Sequence, residues 1–261
     1  MISGGWVTTK QKLEIYMEVH SHTHTARKKW THYFWEFLML FLAVFCGFLA
    51  ENQREHMIEN KREKKYIRSL IQDLKADTAN LQLYIDLRIE KRIMMDSLML
   101  LLRTGQHKQF GNETYFFARH IFFGQPFVST DGTMQQLKNA GNLRLIKNEN
   151  IIGYILAYDG SVKELKEWDE SDTRIKTTFR ETGGTIFNAD QLYKVFSPDY
   201  KFVRPTTNPQ LINDNPIAIN NIIFQIQYLA LSSLGNSIRG KELKAKAENL
   251  IELLKKEYHL E

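Results

Sequence analysis

The stretch from Asp131 to Asn148 holds more amide and charged side chains than helix packing requires. A cap near Asp131 and a stop at Gly141 predict one short helix, and Asn148 predicts the start of the next. Two helix ends so placed could present backbone N–H groups to a small anion or to a partner loop. We favour a second interpretation, in which the polar residues only cap helices while their apolar neighbours pack into a core. The side chains that could share a ligand or partner contact are Gln136, Asn139, Asn142 and Arg144.

Three histidines alternate near the N-terminus, at His20, His22 and His24. This spacing occurs in short metal-binding tracts, because neutral imidazole is a common metal ligand. It is also typical of a solvated polar tail, which is the interpretation we favour. The sequence therefore predicts no cofactor and gives these three residues only as weak metal candidates.

No established catalytic motif occurs in the chain. There is no Walker loop, no dinucleotide-type glycine pattern, no HExxH zinc motif and no nucleophile elbow. The carboxylates at Asp169, Glu170 and Asp172 are interpreted as part of a solvated helix face rather than as an acid–base pair. We therefore predict no catalytic residue. An enzyme or enzyme subunit with an unrecognised site near residues 131–148 is kept as an alternative.

The composition indicates a folded and mostly helical protein. Of the 261 residues, 43% are hydrophobic and 25% are charged, which is ordinary for a globular chain. Only five prolines and fourteen glycines occur, and few apolar stretches alternate with a period of two. The net charge of +5 is spread over interleaved acidic and basic residues. Because no basic block is interleaved with aromatics, nucleic acid is not expected as a partner.

One long apolar run lies near the N-terminus. Phe37 to Ala50 is uncharged over about 14 residues, whereas a helix needs about 20 to cross a bilayer. Aromatic residues lengthen the run as an interfacial belt does, so residues 33–53 are predicted to form a transmembrane helix. The alternative is a soluble protein that buries this helix. The predicted membrane-interface residues are Trp30, Tyr33, Trp35 and Glu36.

The flanks of this run predict its orientation. Three basic residues, Arg27 to Lys29, stand just before the span, which favours a cytoplasmic N-terminus. No cleavable signal peptide is recognised, so the span is expected to remain as an anchor. Residues 1–32 are predicted to form a polar tail. Met17 opens the stretch "MEVHSHTHTARKKW" and is hypothesised to be the true start.

Residues 54–261 are predicted to form an extramembrane helical domain. Apolar residues recur with helical spacing in three segments, at about 54–104, 149–182 and 217–259. Spacings close to 3.5 residues make a coiled-coil seam possible, although Arg88 and Arg92 intrude where apolar residues are wanted. Residues 106–126 are aromatic-rich and are expected to be an irregular plug at one end of a bundle. The predicted fold is all-α: one span that continues into a long helix, and an antiparallel helical bundle with short connecting helices.

The chain resembles an uncharacterised family of bacterial single-pass membrane proteins, chiefly from the Bacteroidota. The blocks that carry this resemblance are "EFLMLFLAVFCGFLAENQREH", "EKKYIRSLIQDLKAD", "QLKNAGNLRLIKN" and "LIELLKKEY". The resemblance implies an inner-membrane anchor with a periplasmic helical domain, and it implies no activity. We therefore expect a membrane-anchored interaction or sensor-like module without catalytic activity. Its expected partners are the lipid bilayer and either a partner protein or further copies of the chain.

Overall fold

The computed structural model describes residues 30–260, and within this range the protein is all-α, as predicted. Short 3-10 helices at Gln106–Lys108 and Asn142–Leu145 lie in the connections. The only strand-like pairing in the described range is an isolated bridge between Phe196 and Phe202. The α-helices are α1 (Trp30–Arg103), α2 (Gly111–Ile121), α3 (Gly132–Asn139), α4 (Glu149–Gly183), α5 (Ala189–Tyr193) and α6 (Pro216–Tyr258).

Three earlier predictions fall outside these residues. The histidines His20, His22 and His24 precede the described range, and so does the hypothesised start at Met17. Most of the predicted tail, residues 1–32, also lies outside it.

The helix ends follow local sequence signals. Gly105 adopts a left-handed conformation with φ of +72° just after α1, which a residue without a Cβ tolerates best. The Asn148 side chain accepts a hydrogen bond from the Asn150 amide at 3.0 Å and so caps α4, as predicted. Pro216 opens α6 and the Asn215 side chain caps it. The three long helices therefore begin or end close to the predicted residues.

The chain divides into two compact units, Met1–His56 and Met57–Glu261. In the described part of the first unit, from residue 30 onward, the apolar side chains of α1 lie at the surface. Phe37 is 66% exposed, Leu40 69% and Val44 70%. This unit therefore has no apolar core of its own among the described residues.

In the second unit α6 runs antiparallel to α1 and to α4. Along α1, Glu63 contacts Tyr258 near the end of α6, whereas Arg88 contacts Ser233 in its middle. In contrast, α1 and α4 run parallel, because Asp77 meets Tyr158 and the later Arg88 meets Asp172. The connection through α2 and α3 carries the chain back along α1 before α4 begins. The antiparallel prediction therefore holds for α6, and the long connection makes α1 and α4 parallel.

Two apolar clusters fill this bundle. The first lies around Ile67, Leu74 and Leu81 of α1, together with the N-terminal part of α4 and the C-terminal part of α6. The second lies around Met95 and Leu98 of α1, with α2, the C-terminal part of α4 and the N-terminal part of α6. The bundle therefore has an apolar core at both ends.

The prediction that residues 106–126 are irregular is wrong, because α2 occupies the middle of this segment. Its start carries no side-chain cap, so the sequence lacks the usual helix-start signal. The helix is held instead by tertiary packing. Tyr115 is fully buried, and its hydroxyl donates to the Gln210 carbonyl at 2.9 Å and accepts from the Asn188 amide at 2.8 Å. Phe116 and Ile121 are buried in the second apolar cluster, as the plug interpretation predicts.

Candidate functional site

A buried charged network lies between the two apolar clusters. The Arg88 guanidinium donates to the carboxylates of both Asp169 and Asp172. The side chains of these three residues are 7%, 3% and 2% exposed. We call these residues, together with Tyr84 and Asn236, the polar layer.

Both aspartates of the polar layer are fully engaged by hydrogen-bond donors. Asp169 accepts the Tyr84 hydroxyl at 2.7 Å and the Phe127 amide at 3.0 Å. Asp172 accepts the Ser232 hydroxyl. The Asn236 side chain donates to both carboxylates at 3.4 Å. Buried charges are tolerated when they are paired in this way, so the network can be stable.

The interpretation of the 169–172 carboxylates as a solvated face is therefore wrong for two of them. Glu170 is exposed, whereas Asp169 and Asp172 face the interior of the bundle. Burial raises the pKa of the Tyr84 hydroxyl, and the nearby Asp169 carboxylate adds to this rise. Burial lowers the pKa of Arg88. The electrostatic effects of Tyr84 and the two carboxylates raise it by more, so the net pKa of Arg88 is above its ordinary value. Tyr84 therefore donates as a neutral phenol to a carboxylate that Arg88 also holds.

The helices place these side chains inward because each lies on the apolar stripe of its helix. On α1 the order Tyr84, Arg88, Lys91 and Met95 has spacings of four, three and four residues. This is the heptad pattern that keeps one face of a helix toward its neighbours. On α4 the same pattern runs through Leu165, Asp169, Asp172, Lys176 and Phe179. A charged residue on such a stripe is a sequence signal for a buried charge. Arg88 lies on the stripe of α1, whereas Arg92 does not.

Two lysines adjoin the polar layer without a carboxylate of their own. Lys91 Nζ donates to the Ile121 carbonyl at the end of α2, at 3.4 Å. No acidic group in the described chain lies within ion-pair distance of Lys91 or Lys176. Burial lowers the pKa of Lys91 to about 7, and the neighbouring Lys176 and Arg88 lower it further against the opposing effect of Asp172. Burial also lowers the pKa of Lys176, with Arg88 contributing.

Gly124 lies over both ammonium groups. A Cβ added to this residue would sit 2.5 Å from Lys91 Nζ and 3.7 Å from Lys176 Nζ. The two nitrogens therefore approach the same point of the backbone from α1 and α4. A side chain at residue 124 would displace the Lys91 ammonium from this point.

A cavity of about 270 Å³ opens beside Lys91. Its charged and titratable lining residues are Arg88, Lys91, His120 and, exposed on the same turn of α1, Glu90. His120 donates Nδ1–H to the Phe116 carbonyl at 2.8 Å, since a carbonyl oxygen can only accept. Burial lowers the pKa of His120. The remaining walls are mostly apolar, formed by Leu87, Met94, Phe123, Gly124, Gln125 and Phe202.

The structure places the predicted contact residues near 131–148 at the surface, away from this cavity. Gln136, Asn139 and Arg144 are exposed. Asn142 is partly buried and donates to the Tyr66 hydroxyl at 2.9 Å. Asn139 donates to the Gln135 side chain at 3.1 Å. Their role in ligand or partner contact stays a prediction.

Backbone amides near the start of α3 already hold protein carboxylates. Thr130 N–H donates to Asp77 at 2.6 Å, and Thr133 N–H donates to Asp73 at 3.0 Å. Asp77 also accepts the Tyr158 hydroxyl at 2.6 Å. These contacts tie the segment to α1, and they leave those two amides unable to bind an added anion.

The predicted membrane-interface residues are exposed at the start of α1. Trp30 is 82% exposed and Trp35 61%. Glu36 pairs with His32 one turn earlier, with 2.9 Å between His32 Nε2 and Glu36 Oε1. Two helices, α1 and α6, are long and apolar enough to span a membrane. In the apolar stretch of α6, 33% of the residues are buried, whereas no residue in that of α1 is fully buried.

No protein-family model, curated protein or solved structure matches this chain.

Proposed function

We propose that the chain is a membrane-anchored helical interaction or sensor-like module without catalytic activity. Residues 33–53 anchor it in the bacterial inner membrane with the N-terminus in the cytoplasm, and the helical bundle meets its partner or ligand in the periplasm. The bilayer and either a partner protein or a second copy of the chain are its interaction partners.

The observation that carries this proposal is the exposed apolar surface of α1 between Phe37 and Ala50. Every residue of this stretch is exposed except the partly buried Leu38. A soluble protein does not leave such a large contiguous apolar surface in water, because exposing it costs roughly 25 cal/mol per Å². A bilayer covers this surface at no such cost. The aromatic residues at its N-terminal end favour the same assignment.

The two alternatives have less support. A soluble protein that buries residues 37–50 would need contacts for them, and the described chain supplies none beyond partial cover of Leu38. An enzyme site near residues 131–148 would need polar groups that converge in a pocket, whereas Gln136, Asn139 and Arg144 are exposed and the Thr133 amide already holds Asp73. The absence of a catalytic motif points in the same direction.

The experiment that tests the proposal maps the two sides of the membrane. In a Cys46→Ser background, one cysteine is placed in the tail by Ser21→Cys and another on the exposed face of α4 by Glu164→Cys. Intact spheroplasts are then treated with a maleimide that does not cross membranes. We expect the Glu164→Cys protein to be labelled at once and the Ser21→Cys protein only after lysis.

The opposite labelling pattern would contradict the orientation. Labelling of neither protein before lysis, together with release of both by alkaline carbonate, would contradict the anchor and favour the soluble alternative.

A further inference from the structure

We propose that the cavity beside the polar layer is a binding site for a small organic carboxylate with an apolar body. Its carboxylate would lie against the Lys91 ammonium, near Lys176, and its body would lie between Phe123, Phe202 and the apolar residues of α1. The idea that this anion is the ligand of a sensor rests on the proposed function. Binding of the anion does not depend on whether the chain is anchored in a membrane.

The charges around the cavity favour an anion. Asp169 and Asp172, the nearest carboxylates inside the bundle, are both held by Arg88 and by neutral donors. Lys91 Nζ and Lys176 Nζ therefore lie on the same side of Gly124, and neither has a bound counter-ion among the described residues. Two neighbouring ammonium groups that are partly withdrawn from water repel each other, and an anion bound in the cavity against Lys91 would offset this repulsion.

The hydrogen-bonding capacity of Lys91 also favours an anion. Its ammonium group has three donors, and one contact, with the Ile121 carbonyl, is present at 3.4 Å. Lys91 lines the cavity, and its ammonium group donates no other hydrogen bond to the described residues. Glu90 lines the same cavity but is exposed and lies outside ion-pair distance of Lys91.

The shape and lining of the cavity restrict the anion to a small one with an apolar body. Its volume of about 270 Å³ is slightly below the usual range of ligand pockets, which is roughly 300–1,000 Å³. Aromatic rings form one wall, since Phe202 stacks on His120 with 3.8 Å between ring centroids and contacts Phe123 at 5.3 Å. Leu87 and Met94 of α1 supply the apolar lining opposite. Inorganic phosphate would leave these walls without a contact.

The test uses the full chain in lipid nanodiscs and two matched probes. The anionic probe is 4-fluorobenzoate, and the neutral probe is 4-fluorobenzyl alcohol, which has a similar size and no charge. Binding of each is followed by fluorine NMR line broadening during titration. We expect 4-fluorobenzoate to bind at least about tenfold more tightly than the alcohol, because a tenfold ratio is the effect of one modest charge contact.

Variants then locate the site. Lys91→Met is expected to weaken 4-fluorobenzoate binding at least about tenfold and to leave binding of the alcohol unchanged. Lys91→Arg keeps the charge and is expected to retain most of the binding. Lys166→Met, which removes an exposed lysine from the same helix as Lys176, is the control and is expected to have no effect.

Equal affinities for the two probes would overturn the proposal, and so would a lack of binding at about 10 mM 4-fluorobenzoate. Unchanged binding by Lys91→Met would overturn it too. The comparison of probes uses the unmodified chain, so it decides the question even if a variant does not fold. Membrane topology is measured separately by cysteine labelling, so failure of this site and failure of the anchor are distinguishable.

Discussion

Two regions of the molecule reverse the usual distribution of apolar and charged side chains. Between Phe37 and Ala50 apolar side chains lie at the surface, whereas Arg88, Asp169 and Asp172 place charges inside the bundle. Folded proteins normally do the opposite, so each region indicates something about its surroundings. Under the proposed function, the bilayer supplies an apolar environment for the first. The second has its polar environment supplied by the chain itself.

Buried charges inside the bundle also differ in whether the chain supplies them with partners of opposite charge. In the polar layer each carboxylate has several donors, so the buried charges stabilise one arrangement of α1, α4 and α6. Lys91 and Lys176 lie next to this network without an acidic partner of their own. The exposed span and the two lysines are therefore two parts of the described chain whose surroundings are incomplete, and each predicts a partner of its own chemistry.

The largest expected effect is from removing the cation of the polar layer. Arg88→Met would leave Asp169 and Asp172 buried without their shared guanidinium, and unfolding free energy should fall by about 3–5 kcal/mol. Urea denaturation of the full chain in detergent, followed by circular dichroism, measures this loss.

Arg92→Met is the matched control for that experiment. Arg92 lies one turn later on α1, its side chain is 38% exposed, and its pair with Asp96 spans 3.5 Å. Its removal should cost no more than about 1 kcal/mol. Equal losses of unfolding free energy in Arg88→Met and Arg92→Met would contradict a special contribution of the buried arginine.

The next effect is on the span. Val44 and Val128 are 70% and 72% exposed, so the same substitution can be compared in the two regions. Val44→Arg should cost about 2.5–3.5 kcal/mol of insertion free energy, because it places a charge at membrane depth. Val128→Arg should cost almost nothing. The fraction of each protein that resists alkaline carbonate extraction measures the difference, and equal fractions would contradict the assignment of the two surfaces.

A smaller effect is expected from the lowered pKa of Lys91. With a folded-state pKa of about 7 and an ordinary value of 10.5, Lys91 binds fewer protons folded than unfolded between these values. Stability should therefore rise with pH over this window, by roughly 1–2 kcal/mol between pH 7 and 9 after allowance for solvent screening. The relevant charges around Lys91 are Arg88 and Glu90 of α1, His120 of α2, and Asp169, Asp172 and Lys176 of α4.

Lys91→Met supplies the control for this pH dependence. Denaturation of both proteins at pH 7 and pH 9 isolates the contribution of Lys91, because the other groups titrate in both. A variant that gains as much stability as the unmodified protein would show that Lys91 keeps its ordinary pKa.

The smallest effect is expected from Glu36→Leu. The pair between Glu36 and His32 has side chains that are 50% and 48% exposed, and a surface pair one turn apart contributes about 0.3–0.5 kcal/mol. Insertion, abundance and partner binding should therefore change little, as measured by carbonate extraction, immunoblotting and crosslinking. A clear loss of any of them would assign Glu36 a role beyond a tolerated interfacial charge.

Much of the fold could be predicted from the sequence because its signals are local. Gly105, Asn148 and Pro216 mark helix ends without reference to distant residues. The direction of α4 could not be obtained in this way, since it depends on how α2 and α3 return the chain along α1. The helix α2 was missed because Tyr115, buried and hydrogen-bonded to residues far along the chain, holds it in place of a local cap.

The polar layer is hidden in the sequence for a different reason. A carboxylate on a charged helix is usually solvated, which favours the wrong interpretation of Asp169 and Asp172. Their positions on the apolar stripe of α4 are the contrary signal, and Arg88 on α1 interrupts a similar stripe, but the sequence does not show that these residues pair. Pairing across 81 to 84 residues of sequence is a tertiary property that one sequence does not display.

The central claim, that the surface between Phe37 and Ala50 faces lipid, is tested most directly with a spin label on Cys46. This is the only cysteine of the chain, and it is exposed on α1. After labelling in detergent and reconstitution into bilayers, the accessibility of the nitroxide to oxygen and to a water-soluble nickel chelate is measured by electron paramagnetic resonance. We predict high accessibility to oxygen and low accessibility to nickel, as for a lipid-facing residue. High accessibility to nickel, or low accessibility to both, would contradict it.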